Sequence, residues 1–114
     1  MRAEVRDGYM ITPRGVKGRA MMLKAHRLAA RGGFVIRVIP KIKYGALDID
    51  SYDPCPKVDW EPIFRPFWEL PEVKRTWAAW GQGGYVSGLP IELAITMAEK
   101  AVGVIRAAGG EAYT

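Results

Sequence analysis

Hydrophobic and polar positions change their period several times along the chain, and each change marks an element. Residues 3–12 alternate weakly about Asp7-Gly8, a pair suited to a type I′ turn because both central positions need positive φ. The pattern predicts a hairpin of Ala3–Arg6 and Tyr9–Thr12, then a turn at Thr12-Pro13-Arg14-Gly15. From Val16 to Arg31 good helix formers run without proline and stop at Gly32-Gly33, which supply a left-handed cap. Phe34–Ile39 is β-branched or aromatic at five of six positions and reads as a strand. Pro40 interrupts it, and an edge strand is expected to resume through Lys41–Tyr44.

Five of the eight prolines lie in residues 46–71, too close together for a long helix. This stretch is expected to be an irregular wrap pinned by Trp60, Ile63, Phe64, Phe67, Trp68 and Leu70. Glu72–Trp80 reads as a short helix, Gly81-Gln82-Gly83-Gly84 as a loop and Tyr85–Ser87 as a very short strand. Pro90–Ala108 gives the clearest helix: proline fits its first turn, Glu92 suits the positive end of its dipole, and Gly109-Gly110 end it.

The two long helices differ in their faces. On a helical wheel Lys17, Lys24, Arg27 and Arg31 fall within roughly 80° of arc, opposite Met21, Met22, Ala25, Leu28, Ala29 and Gly18. Strand parity places Phe34, Ile36, Val38, Pro40 and Ile42 on one side, and Val35, Arg37, Ile39, Lys41 and Lys43 on the other. The C-terminal helix has only a narrow polar strip, Glu92, Thr96, Glu99, Gly103 and Arg106. It is expected to be largely buried in the core, and its small residues Ala94, Ala98 and Ala101 leave a homodimer open as an alternative.

Charge sharpens this contrast. The chain has 114 residues and a net charge of +5. Residues 1–45 carry eleven basic and two acidic residues, a balance of +9, whereas residues 46–114 carry six basic and ten acidic, a balance of −4. Such an asymmetry points to a polyanionic partner, or to neutralisation of the basic half by the acidic 46–72 segment. One cysteine and one histidine exclude an intrachain disulfide, a Cys-rich zinc module and a His-pair metal site. No apolar run reaches the ~20 residues of a membrane-spanning helix, so a soluble, cytoplasmic protein with no membrane partner is expected.

Candidate chemistry is sparse. Nothing in the sequence brings Cys55 to His26, and Asp48, Asp50 and Asp53 lack the Gly and Glu positions of an EF-hand loop. The Gly81–Gly84 run lacks the Lys-Ser/Thr of a P-loop. No catalytic residue, metal or cofactor is assigned. Seven of the twelve aromatics fall in residues 60–85, making Trp60 and Trp68 candidate stacking platforms or interface anchors.

Together these observations predict one α+β domain over residues 1–114. It would have a small, mostly antiparallel sheet, one basic amphipathic helix, one largely buried C-terminal helix and the proline/aromatic segment between. The expected function is non-catalytic binding to nucleic-acid phosphate through Lys17, Lys24, Arg27, Arg31, Arg37, Lys41 and Lys43. The alternatives are an interaction module that docks on a larger protein, as inhibitor or adaptor, through the aromatic/acidic segment, and a binder of a phosphorylated small molecule or nucleotide.

Overall fold

A computed structural model describes residues 4–6, 9–12, 15–71, 73, 78–80 and 82–114. The strands are β1 (Glu4–Arg6), β2 (Tyr9–Ile11), β3 (Gly33–Pro40), β4 (Tyr44–Tyr52), β5 (Ala78–Trp80), β6 (Gly83–Pro90) and β7 (Ala112–Tyr113). The helices are α1 (Val16–Ala29), α2 (Glu61–Trp68) and α3 (Ile91–Ala107). The strands form a mixed sheet in the order β1-β2-β3-β4-β6-β5, with β7 also paired to β3. Four pairings are antiparallel, while β2 and β7 run parallel to β3. The class is α+β, as the hydrophobic patterning implies.

The β3–β4 hairpin is the centre of the sheet. Its register runs from Gly33↔Tyr52 to Pro40↔Gly45, and Lys41 N–H donates to the Tyr44 carbonyl (2.7 Å) across the turn. On the other edge of β3, β2 pairs with Arg37 and Val38 while β7 pairs with Phe34 and Val35, so the two short strands lie end to end. Because β2 is parallel to β3, α1 is the crossover of a βαβ unit.

Alternation along β3 assigns its two faces. Phe34, Ile36 and Val38 join Leu47, Ile49, Val86, Leu89 and the buried residues of α3 in the main core. Val35 faces the other way, with Met10 and with Ala25 and Ala29 of α1. Full burial of such side chains contributes roughly 1.5–3 kcal/mol each, and the α3 side holds most of them. Ala94, Ala98 and Ala101 let α3 approach closely. At Gly45 a Cβ would come within 2.7 Å of Ile91 Cδ1, so any larger residue there would require the Ile91 side chain to shift.

Several expectations are corrected. Residues 41–43 form the hairpin turn rather than an edge strand. Within 46–71 the irregular stretches are residues 53–60 and the short turn at 69–70, because most of β4 and all of α2 occupy nearly all the rest. Leu47 and Ile49 alternate with Asp48 and Asp50, a period-two pattern that the proline count obscured. Pro62 lies in the first turn of α2, where it removes no helical bond, and Phe64 anchors the helix despite Pro66. Ala78–Trp80 is a strand, not the end of a helix, and Gly83-Gly84 belong to β6. Leu28, placed with the apolar face of α1, is 46% exposed. The Asp7-Gly8 turn, Ala3, Pro13-Arg14, Trp77, Gly81 and most of the expected 72–80 helix lie outside the described residues.

Candidate functional site: the cationic face of the crossover helix

The interior face of α1 is narrow. Gly18, Ala25 and Ala29 are buried, Met21, Met22 and His26 are half-buried, and the remaining circumference meets solvent. Lys17, Lys24, Arg27 and Arg31 are all exposed, as the wheel implies, and Arg19 is exposed outside their stripe. No ion pair among the described residues involves any of these five; the pairs present are His26–Asp50, Arg37–Asp48 and Arg65–Glu61. Val16 and Leu23 lie on the same outer surface, 85% and 51% exposed. The outer face of α1 therefore mixes long cations with bare aliphatic side chains. Over the 14 residues of the helix it extends about 21 Å.

Lys41 and Lys43 are exposed in the β3–β4 turn. That turn lies at the end of β3 where Thr12 N–H bonds the Val38 carbonyl and α1 begins. The two lysines thus lie at the same end of the sheet as the N-terminal end of the helix. Arg37 does not belong to this exposed set. Its Nε donates to Asp48 Oδ2 (2.7 Å) and its Nη1 to Met22 Sδ (2.7 Å). The Asp48 side chain is only 6% exposed, so Arg37 compensates a buried carboxylate.

Neutralisation by the acidic segment is therefore local. Asp48 takes Arg37 and Asp50 faces His26. Asp59 Oδ1 accepts from Glu61 N–H (3.1 Å) before α2, and Glu61 pairs with Arg65. None of the ion pairs among the described residues takes up the lysines and arginines of α1.

Beside α1, β4 presents a polar cluster that the sequence reading missed. Asp48, Asp50 and Tyr52 alternate onto one face of the strand. The Tyr52 hydroxyl is hydrogen-bonded to His26 Nδ1 (2.7 Å), and His26 Nε2 lies 3.4 Å from Asp50 Oδ2. Partial burial raises the Asp50 carboxyl above its ordinary value of 3.8, and repulsion from Asp48 adds to this against the opposing pull of His26 and Arg37. The cluster fixes the flank of α1 on the sheet. Reading 44–52 as a strand was the one step needed to find it.

The aromatic candidates lie on the opposite side of the sheet. Trp60 is 9% exposed, stacks on Phe64 at 5.6 Å, meets Phe34 edge-on and donates Nε1–H to the Gln82 carbonyl (2.8 Å). Trp68 is half-buried and packs edge-on to Phe64. Neither shares a surface with the cations of α1, so stacking by these rings does not accompany phosphate contact there. Both border an open cleft of about 550 Å³ with Asp59, Glu61, Arg65 and Glu69. Cys55 contacts Asp53, and burial together with that carboxylate pushes its thiol pKa up, away from nucleophilic chemistry. Gly83 and Gly84 are committed to the ladder with β5 and β4 rather than to a loop.

The described residues contain no cluster of three or more metal-ligating side chains, and no helix long and apolar enough to cross a membrane. No family model, curated protein or solved structure matches this chain.

Proposed function

We propose that this protein binds nucleic-acid phosphate backbone without catalysis, through the outer face of α1 extended by Lys41 and Lys43. The observation that supports this reading is the row of exposed cations that no carboxylate of the described residues engages. They are spread along about 21 Å of helix, not gathered into a concavity. A spread row matches a chain of phosphates; a nucleotide pocket needs convergence. Each phosphate neutralised releases counterions, so affinity falls with salt in proportion to the contacts made.

Fluorescence anisotropy with labelled single- and double-stranded DNA and RNA across a salt series tests the reading. Log affinity should fall linearly with log salt, with a slope of roughly −0.9 per contacted phosphate on duplex DNA. Arg27→Glu with Arg31→Glu should weaken binding to all sequences alike, while unfolding stability stays within about 0.5 kcal/mol. Absence of binding at low salt, or a large loss of stability in the double variant, would sink it.

A second reading has its own support. The open cleft between Trp60 and Trp68 is edged by the Glu61–Arg65 pair and by Asp59 and Glu69, whose carboxylates would meet a basic segment of a larger protein docking on the far side of the sheet.

A further inference from the structure

We propose that α1 is a recognition helix for B-form duplex DNA, with its N-terminal half seated in the major groove and its apolar crown against the base edges. This rests on the backbone-binding reading above and names the class of nucleic acid that the face fits.

The outer face of α1 is ordered around its circumference. Gly18, Ala25 and Ala29 define the buried side. Opposite them, within about 60° of arc, lie Val16, Ala20 and Leu23, all exposed, and Arg27 continues the same line. Val16 and Leu23 are the most exposed large hydrophobic side chains of the helix. Cations flank this crown: Lys17 and Lys24 stand about 80° to one side of it and Arg19 about 70° to the other. The 14 residues of the helix include no carboxylate. Such a helix offers apolar contact at its centre and phosphate contact at both edges.

Phosphate contact alone gives the crown nothing to do, because aliphatic side chains gain free energy only where apolar surface covers them. The major groove of B-DNA supplies both kinds of partner. It is about 12 Å wide, against about 10–12 Å for a helix with its side chains, so one helix fills it. Its floor displays the thymine methyl, an apolar target for Val16, Ala20 and Leu23. Its walls are the two phosphate backbones, which Lys17 and Lys24 meet on one side and Arg19 on the other. Lys41 and Lys43 lie at the same end of the sheet as the start of α1, next to the seated half. Arg27 and Arg31, further along, leave the groove and contact phosphate.

Other nucleic acids match this face less well. The major groove of an A-form RNA duplex is deep, narrow and closed to side chains. Unpaired bases are held by stacking on aromatic rings. The one ring on α1 is the His26 imidazole, which is engaged by Tyr52 and Asp50, and Trp60 and Trp68 lie across the sheet.

Fluorescence anisotropy at fixed salt tests the proposal, with one A·T-rich duplex sequence made as DNA, as RNA, and as DNA carrying uracil in place of thymine. The DNA should bind about tenfold or more tighter than the RNA. Loss of the thymine methyls should weaken binding about threefold or more. Leu23→Ala, an exposed change that leaves the melting temperature unmoved, should weaken DNA binding by about as much. It should not alter the salt slope, because it removes no phosphate contact, whereas Lys24→Gln should make the slope shallower by about 0.9. Equal affinity for DNA and RNA duplexes, indifference to the thymine methyl, or parental binding by Leu23→Ala would each overturn groove insertion and leave the backbone reading standing. Absence of binding to every nucleic acid at low salt would remove both. Vesicles of phosphatidylserine and phosphatidylcholine complete the set: Leu23-dependent binding to them, tighter than to any duplex, would assign the face to a lipid surface and overturn the proposal.

Discussion

Helices α1 and α3 cover opposite faces of one sheet and follow opposite rules. In α3 seven residues are buried, Glu92 occupies the first turn and Arg106 the last. Its polar side chains are also engaged: Tyr9 donates to Glu99 (3.4 Å), and Lys100 lies 6.0 Å from the Phe67 ring centroid. In α1 three residues are buried, the first turn holds no acid and no cap, and Val16 and Leu23 stand in solvent among unpaired cations. Local preference and tertiary role agree throughout α3. They disagree in α1, and in natural proteins such disagreement concentrates where function is carried. The lesson is to look for the partner on the helix that is the worse-designed structural element.

Substitutions can break or sharpen this contrast. The largest effect belongs to the α3 side: Met97 is fully buried, and Met97→Ala should cost about 2–5 kcal/mol in urea unfolding. Leu23→Ala, on the outer face of α1, should change stability by less than about 0.5 kcal/mol. Similar costs for the two would mean that α1 is as integral to the core as α3.

A smaller effect comes from reversing charge at the two helix starts. Lys17→Glu should stabilise by about 0.3–1 kcal/mol, and Glu92→Lys should destabilise by about as much. Thermal unfolding at low ionic strength reads both, and equal signs would erase the asymmetry argued here.

The smallest effect concerns the flank of α1. Because burial raises the Asp50 carboxyl, the folded state binds its proton more tightly than the unfolded chain does. Its ionised form therefore costs stability at neutral pH, and the cost disappears as pH falls through the raised value. Asp50→Asn should accordingly be more stable than the parent at pH 7, by less than about 0.5 kcal/mol. The advantage should shrink to nothing below the ordinary 3.8. An advantage that grew on acidification would reverse the assignment.

What the sequence made legible followed from period and stop signals. Val16 to Gly32 and Pro90 to Gly109 are bounded by such signals, and both helices fall within a residue or two of the expected ends. The exposed cations of α1 were readable because a wheel needs only local geometry. Three things were hidden. Strand β4 was masked because its neighbours Pro54 and Pro56 coloured the whole stretch, although Leu47 and Ile49 carry the alternation. Arg37 looked like a surface cation until its cross-strand partner, Asp48, was known; no local pattern reveals a pairing eleven residues away. The crown of Val16, Ala20 and Leu23 escapes a wheel read for its cations, and it shows only once Gly18, Ala25 and Ala29 prove to be the buried side.

The sheet order carries a consequence for how this chain meets copies of itself. The eight- and nine-residue strands β3 and β4 lie in the middle, while the outermost strands, β1 and β5, are three residues long. Among the described residues each lateral end thus offers a neighbouring chain only a few rungs of backbone on which to template a new strand, and short edges of this kind resist amyloid-like growth. Under the proposed binding to a polyanion, in which many copies would crowd along one strand, edges this short would keep neighbouring sheets from zipping together.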